Sequence, residues 1–211
     1  MLVTSFTSMG EFGTNCYAVE SEQKNAVMID CPCMADRLYG QLQKYGLTLK
    51  KILLTHGHID HILAAGELSR LTGAEVFIHE DDLPKITDTR LNLAEEFGIP
   101  YTSIESVKTF ADGDTLTLDE VEITVLHTPG HTPGSVCFFA EDFLFSGDTL
   151  FAGSIGRTDF IDGDFVAMSK SLAKLNEIEG EYTLLAGHGP QTTLSAEKKT
   201  NMYLLGRPLG Y

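Results

Sequence analysis

Residues 55–61 read Thr-His-Gly-His-Ile-Asp-His and directly follow the largely apolar run 51–54. Four of these seven side chains, three imidazoles and one carboxylate, can bind a transition metal. A buried strand that leads into so many polar groups requires each of them to be paired, because burying an unpaired polar group is costly. Coordination of a cation would meet that requirement. The segment therefore predicts a strand whose C-terminal end carries a metal site.

Three later segments repeat this arrangement of an apolar strand, a turn of small residues and a side chain able to bind metal. Residues 121–126 lead to His131, residues 143–145 to Asp148, and residues 182–185 to His188. Strand ends that feed glycine-rich turns bring side chains to one edge of a sheet, where functional loops gather. One tetrahedral zinc takes three or four ligands, whereas two metals ~3.5–4 Å apart share a carboxylate and enclose a hydroxide. The candidate ligands, which suit two metals, are His56, His58, Asp60, His61, His131, Asp148 and His188.

Two further histidines are assigned other roles. His127 competes with His131 for one ligand position, and His131 is favoured because glycine precedes it on a loop, while His127 ends a strand. We expect His127 to support or pack against the site. His79 follows a separate strand with no companion in the sequence, so we expect a structural or surface role.

The periodicity of the chain predicts an α/β fold. Strands are expected at residues 2–6, 16–21, 26–30, 50–54 and 75–78, and in a second batch at 106–110, 115–118, 121–126, 135–140, 143–146 and 182–185. Helices are expected at 35–45, at 59–72 as one amphipathic helix ending at Gly73, and at 88–97, 164–178 and 195–204. Two batches of strands, each followed by helices, favour two sheets packed face to face with helices outside. With no linker or repeat in its 211 residues, the chain is interpreted as one domain, 1–211.

The charge of the chain restricts its partners. It carries 15 Lys and Arg against 30 Asp and Glu, a formal net charge of −15. Such a surface repels nucleic-acid phosphates and anionic membranes, so neither is expected as a partner. We see neither a signal peptide nor an apolar stretch near the ~20 residues that span a bilayer. The four cysteines show no disulfide framework and Cys31 and Cys33 are interpreted as loop or buried thiols, which favours the cytoplasm. Nothing in the sequence indicates an oligomeric state.

The motif Thr-His-x-His-x-Asp-His, followed in order by His131, Asp148 and His188, resembles the metallo-β-lactamase superfamily over most of the chain. The resemblance implies a four-layered αβ/βα sandwich with metals at one edge of the paired sheets. It also implies a division of the ligands. His56, His58 and His131 would hold one metal, Asp60, His61 and His188 would hold the other, and Asp148 would bridge them.

Within the superfamily, residues 147–151 and 153–159 resemble the glyoxalase II (hydroxyacylglutathione hydrolase) branch, in particular its short single-domain bacterial type. This implies hydrolysis of a thioester such as S-lactoylglutathione by a metal-bound hydroxide, with Asp60 orienting the nucleophile and moving its proton. β-Lactamases of the commonest class carry a cysteine at the position of Asp148, which favours the other hydrolases. Full-length enzymes of the branch have a basic helical extension that binds glutathione and a tyrosine after the last histidine. This sequence ends soon after His188 and has residues 189–191, Gly-Pro-Gln, in place of that tyrosine.

Several alternatives remain at the level of sequence. Arg157, on a glycine-rich loop, would either clamp a substrate carboxylate through two hydrogen bonds or form an ion pair with Asp159. A persulfide dioxygenase would use a single iron held by His56, His131 and Asp148. A lactonase and a non-enzymatic metal-binding protein are further possibilities. Two divalent ions are expected as cofactors, with zinc favoured and iron or manganese as alternatives, because all three accept imidazole and carboxylate ligands.

Overall fold

The structure is a computed structural model that describes residues 1–6 and 12–206. Its first six-stranded sheet has the strand order β1 (Leu2–Phe6), β2 (Cys16–Glu20), β3 (Asn25–Ile29), β4 (Thr48–Leu53), β5 (Glu75–His79) and β6 (Val107–Phe110). The second sheet contains β7 (Thr115–Leu118), β8 (Val121–His127), β9 (Val136–Ala140) and β10 (Phe143–Gly147). A small hairpin follows, formed by β11 (Leu150–Phe151) and β12 (Ser154–Ile155). The second sheet is completed beside β10 by β13 (Thr183–Ala186) and β14 (Thr192–Thr193).

The helices are α1 (Ala35–Tyr45), α2 (Ile59–Ile62), α3 (Ala65–Thr72), a 3-10 helix (Glu80–Ile86), α4 (Ala94–Phe97), α5 (Phe165–Glu177) and α6 (Leu194–Thr200). Local chemistry sets several of these boundaries. Helix α1 ends where Gly46 adopts the left-handed conformation, with φ of +68°. Helix α5 begins at Asp164, whose carboxylate accepts the backbone N–H groups of Val166 and Ala167. No helix among the described residues has the length and apolar character of a membrane-spanning segment.

Three apolar layers hold the molecule together. On β3, Val27 points between the two sheets while its neighbour Met28 points to the helical side, as expected when side chains alternate along a strand. Leu38 of α1 and Leu68 of α3 pack in the same layer as Met28. On the opposite side, α5 and α6 pack on the second sheet, with Leu172 representative of that layer. The expected four-layered αβ/βα sandwich is therefore confirmed.

The structure corrects several predicted elements. Strand β6 pairs in parallel with β5 at the edge of the first sheet, although the sequence grouped residues 106–110 with the later strands. The helix predicted at 59–72 is broken into α2 and α3, because the backbone turns at Ala64, whose N–H donates to the carbonyl of Cys31. Only the end of the helix predicted at 88–97 forms, as α4, since Leu93 before it has a left-handed backbone, with φ of +69°.

Two further details concern the C-terminal third and the cysteines. Helix α6 ends earlier than predicted, because the side chain of Asn201 turns to donate to the backbone carbonyls of Phe151 and Ser154. The sequence did not predict β11, β12 or β14, each of only two residues. Cys31 and Cys33 are free and buried, as predicted, and burial raises the pKa of both thiols.

The topology places several strand ends at one edge of the sandwich. In the second sheet β8 and β10 each run antiparallel to β9, and β13 runs parallel to β10. Strands β8, β10 and β13 therefore end at the same edge. The loops that follow them face the segment that follows β4, and the predicted metal ligands lie on these loops and, for Asp60 and His61, in the short helix α2.

Candidate metal centre

The structure brings all seven predicted ligands together. Their potential ligand atoms form three overlapping groups, and within each group these atoms lie within 4.8 Å of one another. The first trio is His56, His58 and His131, the second trio is Asp60, His61 and His188, and the third group joins Asp148 to His56 and His61. Asp148 therefore lies between the trios, in the arrangement that the family resemblance implies.

The first trio consists of three buried imidazoles. His58 Nδ1 lies 2.9 Å from His131 Nε2, and the latter lies 3.5 Å from Asp148 Oδ2. Burial, reinforced by the neighbouring histidines, holds the pKa of His56 and His58 well below the usual range. These rings are therefore unprotonated at neutral pH, which is the form that binds a metal.

The second trio is a network of ion pairs. His188 Nε2 lies 3.2 Å from Asp60 Oδ2 and 3.4 Å from Asp148 Oδ2, and His61 Nε2 lies 3.5 Å from Asp60 Oδ2. Burial alone would raise the pKa of Asp60, but the neighbouring His61 and His188 lower it to about 2. Burial opposes protonation of His188, yet the two carboxylates raise its pKa to about 9. The same carboxylates raise the pKa of His61 against its burial.

The unpartnered atoms of the cluster fit a metal. The Nδ1 atoms of His56, His61 and His131 already contact Thr55 Oγ1 at 3.1 Å, Asp30 Oδ2 at 2.8 Å and the Arg157 carbonyl at 2.8 Å. Among the described residues, the Nε2 atoms of His56 and His61 and the Oδ1 atom of Asp148 are buried without a hydrogen-bond partner. A histidine that binds metal through one nitrogen characteristically donates its other N–H to an oxygen. The donor set therefore fits metal coordination.

One glycine is required at the centre. A Cβ atom on Gly187 would lie 2.2 Å from Asp148 Oδ1 and 2.7 Å from His61 Cε1, closer than real contacts allow. The glycine that precedes His188 thus lets the loop after β13 approach the ligands of the other loops.

Asp30 supports the second trio, and the sequence analysis missed it. Its carboxylate accepts the N–H and the hydroxyl of Thr55, both at 2.8 Å, and contacts His61 Nδ1. Its backbone has a φ of +60°, which is uncommon for a residue other than glycine and is held in place here by these contacts. Asp30 directly follows an apolar strand, as the predicted ligands do, so the same signal could have identified it.

Asp82 supports the first trio, and it too was missed. One carboxylate oxygen accepts the N–H of Gly57 at 2.7 Å and the hydroxyl of Thr132 at 2.8 Å, and the other accepts the N–H of Gly134 at 2.8 Å. Gly57 separates the first two histidine ligands, while Thr132 directly follows His131. The buried Asp82 carboxylate thus ties together the two loops that build the first trio. It lies in a 3-10 helix with no strand-end pattern to reveal it.

The segment before β2 positions further parts of the site. Thr14 Oγ1 donates to Asp60 Oδ2 at 2.8 Å. The side-chain amide of Asn15 donates to the carbonyls of Ala186 and Gly189, on either side of His188. Neither residue was identified from the sequence, because both lie between elements and belong to no motif.

His79 and His127 lie outside the cluster of seven. Their rings stack with centroids 4.0 Å apart, so His79, which has no companion in the sequence, gains one in the fold, and this buried packing contact agrees with the structural role expected for it. The carboxylate of Asp81 lies 3.7 Å from His79 and 3.8 Å from His127. However, His79 Nδ1 already accepts the Asp81 N–H, and His127 Nε2 contacts the Pro133 carbonyl. This group is a packing contact behind the loop of His131, which agrees with the supporting role expected for His127.

A cavity of about 260 Å³ opens onto the metal centre. Besides five of the predicted ligands, its lining is mainly apolar and consists of Phe12, Leu93, Phe97, Phe151, Ile155, Arg157 and Phe160. Arg157 Nε and Nη2 donate to the two Asp159 carboxylate oxygens at 2.9 and 3.0 Å. The structure therefore contains the ion pair that the sequence offered as one of two roles for Arg157. A larger cavity of about 490 Å³ lies beside α3, away from the seven ligands.

Comparisons with known proteins agree with this geometry. Residues 9–188 match the family model of the metallo-beta-lactamase superfamily. The hydroxyacylglutathione hydrolase GloC of Haemophilus influenzae is 36% identical over 198 residues, covering 92% of this chain and 93% of that protein. The BLEG-1 B3 metallo-beta-lactamase is 34% identical, with a TM-score of 0.88 over 96% of this chain and 99% of that one. The di-iron-bound form of TTHA1623 is 35% identical, with a TM-score of 0.85 over 95% of this chain and 100% of that one.

The family match covers most of the chain, and the GloC relative exceeds one third identity over nearly the full length of both proteins. The structure adds a cluster of histidine and aspartate side chains able to bind metal, at the edge of a four-layered sandwich. The chain therefore belongs to the metallo-beta-lactamase superfamily of metal-dependent hydrolases.

Proposed function

We propose that this protein is a thioester hydrolase that uses two divalent metal ions, and that S-lactoylglutathione is the first substrate to test. The observation that carries the proposal is the clustering of all seven predicted ligands, four of which (His56, His58, His61 and Asp148) have a buried nitrogen or oxygen atom without a hydrogen-bond partner in the described part of the chain. The similarity to GloC, whose name is hydroxyacylglutathione hydrolase, supports the choice of a thioester. The proposed partner is a small molecule in the cytoplasm, rather than nucleic acid or membrane.

The ligands divide as the trios do. His56, His58 and His131 would hold one ion, Asp60, His61 and His188 the other, and Asp148 both. When bound, the two ions supply Lewis acidity and lower the pKa of water at the site. Zinc is the favoured metal, with iron or manganese as alternatives, and the di-iron form of TTHA1623 supports including iron in every assay.

Asp60 is the proposed catalytic residue. Thr14 Oγ1 and His188 Nε2 both contact its Oδ2 atom, which fixes the orientation of the carboxylate. With a pKa of about 2 it is ionised at neutral pH, so it can accept the hydrogen bond of an attacking water molecule and orient that water. A departing thiolate needs little protonation, since the pKa of a thiol is near ~8.5. The centre therefore needs no separate general acid for this class of substrate.

The test combines elemental analysis with activity. Purified protein loaded separately with zinc, iron or manganese is expected to hold two ions per chain and to cleave S-lactoylglutathione. Asp148→Ala removes the shared ligand and is expected to lose metal and to reduce kcat/KM by more than about 100-fold. Mutating a residue that only hydrogen-bonds to a metal ligand already lowers metal affinity or activity about 10–100-fold. Asp36→Ala, an exposed carboxylate of α1, is the matched control and should change neither quantity.

The same preparation distinguishes the other candidates. A β-lactam belongs in the panel because of the similarity to the BLEG-1 enzyme, and an acyl-homoserine lactone because the same metal pair opens esters. Oxygen consumption with glutathione persulfide and one iron per chain would indicate a dioxygenase. Metal-loaded protein that turns over one of these substrates but no thioester would refute the proposal.

A further inference from the structure

We infer that the cavity selects thioesters that carry an apolar, uncharged group, preferably an aromatic ring, over the doubly carboxylated glutathione thioesters. This inference rests on the proposed function and concerns its substrate class. The relevant surface, called here the aromatic cleft, consists of Phe12, Leu93, Phe97, Phe151, Ile155 and Phe160.

Phenyl rings flank both trios. The ring centroid of Phe160 lies 5.1 Å from that of His58 and 5.6 Å from that of His131. On the other side, the Phe151 ring lies 6.0 Å from the His188 ring. A substrate that reaches the metal centre must therefore pass between two aromatic walls.

The mouth of the cleft is aromatic as well. The rings of Phe12 and Phe97 lie 4.9 Å apart and remain 39% and 44% exposed. A cluster of apolar side chains left exposed at the entrance of a cavity indicates a surface that a ligand covers. Covering these rings with an apolar group would gain roughly 25 cal/mol per Å² of apolar surface removed from water.

The charges around the cleft do not suit an anionic arm. Among the described residues that line it, other than the predicted metal ligands, Arg157 is the one cation, and both its guanidinium bonds go to Asp159. The same guanidinium lies over the Phe160 ring, 4.5 Å from its centroid. The adjoining depression contains the same Arg157–Asp159 pair together with Glu95, Glu96 and Arg90, and Arg90 is paired with Asp88 at 3.3 Å. The two carboxylates of glutathione would meet acidic or already paired groups.

The size of the cavity limits the apolar group. Its volume of about 260 Å³ lies below the ~300–1,000 Å³ typical of sites that enclose a whole ligand. The cleft therefore suits a phenyl or short branched alkyl group beside the thioester, with the remainder of the substrate outside.

The test compares thioesters that differ in one arm at a time, using the metal-loaded protein. For the acyl arm, S-lactoyl-, S-isovaleryl- and S-phenylacetyl-N-acetylcysteamine share a neutral thiol. For the thiol arm, S-lactoylglutathione and the lactoyl thioester of benzyl mercaptan share an acyl group. We expect kcat/KM to be at least about tenfold higher for the apolar member of at least one series, which corresponds to about 1.4 kcal/mol. The series that shows the preference identifies the arm that enters the cleft.

Two variants connect that preference to the cleft. Phe97→Ala should lower the ratio of apolar to polar kcat/KM about threefold to tenfold, mostly through KM, as expected for the loss of one aromatic contact. Phe165→Ala, a 55% exposed residue of α5 outside the cleft, is the matched control and should leave the ratio unchanged. Thermal unfolding and metal content verify that both variants are folded and loaded.

The outcomes separate the two proposals. Preference for S-lactoylglutathione over its benzyl counterpart, together with no acyl preference, would overturn the inference and leave the thioesterase proposal standing. An apolar preference that Phe97→Ala does not alter would also overturn it, because the cleft would not be its source. Fully metal-loaded protein that cleaves no thioester overturns the proposed function and the inference with it.

Discussion

The first trio joins the two halves of the chain through three imidazoles, since His56 and His58 follow β4 whereas His131 follows β8 in the other sheet. The second trio contains the carboxylate of Asp60 and is surrounded by two more, Asp30 and Asp148. The second trio is held by its own opposite charges, while the first trio is built of imidazoles alone and depends on hydrogen bonds from outside. The comparison shows that one metal centre can be preorganised in two different ways.

The two trios also have separate supporting carboxylates. Asp82 accepts hydrogen bonds from both loops of the first trio and contacts none of its imidazoles. Asp30 contacts an imidazole of the second trio directly. Apart from changes to the shared Asp148, the trios should therefore respond differently to mutation and to pH.

The largest expected effect comes from removing one ligand of each trio. His58→Ala should retain one metal, in the second trio, and His188→Ala should retain one metal, in the first trio. Either change should reduce kcat/KM by more than about 100-fold, because a metal ligand contributes more than a residue that hydrogen-bonds to a ligand, whose loss costs about 10–100-fold in affinity or activity. Elemental analysis, hydrolysis rates and the visible absorption of the cobalt-substituted proteins check this. Two metals retained by either variant would show that the trios are not separate sites.

The supporting carboxylates offer the next test. Asp82→Asn should weaken metal binding at the first trio and Asp30→Asn at the second, each by about 10–100-fold. The amide keeps the volume of the carboxylate and replaces one of its two accepting oxygens with a donor. Competition with a chelator gives the affinities, and the cobalt spectra of the ligand variants identify the trio affected. If both variants weaken the same site, the assignment of one support to each trio is wrong.

The pH dependence of metal binding should also differ between the trios. Below its pKa of about 9, His188 of the metal-free protein is protonated, so the proton competes with the metal at neutral pH. In His58→Ala only the second trio is intact. Its affinity for metal should rise about tenfold per pH unit between pH 7 and pH 9 for each proton that the metal displaces. In His188→Ala only the first trio is intact. Its affinity for metal should be nearly constant over this pH range, because the pKa values of His56 and His58 lie well below the usual value. Calorimetry in buffers of different ionisation enthalpy measures the protons released, and equal release by both variants would contradict this.

The smallest expected effect concerns Thr14. Thr14→Val removes the hydroxyl that donates to Asp60 while keeping a similar shape. We expect kcat to fall about threefold to tenfold with both metals retained, since a hydrogen bond to a charged group is worth about 1.5–3 kcal/mol and this one is partly exposed. Thr89→Val, at an exposed turn, is the control. If Thr14→Val instead loses metal, Thr14 is needed for metal binding by the second trio and does not act on Asp60 alone.

Much of the fold and of the candidate site was predictable from local pattern. Alternation along strands such as β8 and helical spacing along α1 report burial directly, and the seven predicted ligands stand out because polar groups at the ends of apolar strands are rare without a purpose. Asp30 obeys the same rule and could have been added to them. The single continuous helix predicted over residues 59–72 does not form. A tertiary hydrogen bond from the Ala64 N–H to the Cys31 carbonyl interrupts an otherwise helical periodicity.

Other features depend on contacts between residues distant in the sequence. Three such contacts leave no periodic signal in the sequence, because each is set by the packing of separate segments. They are the pairing of β6 with β5, the stacking of His79 on His127 and the hydrogen bonds of Asp82 to the loops of the first trio. The sequence by itself determined which side chains can bind metal and at which strand ends they lie. Only the tertiary structure decided which oxygen atom contacts the Nδ1 atom of each imidazole and which aromatic rings surround the site. A hydrogen bond or ring contact between distant segments requires the whole fold.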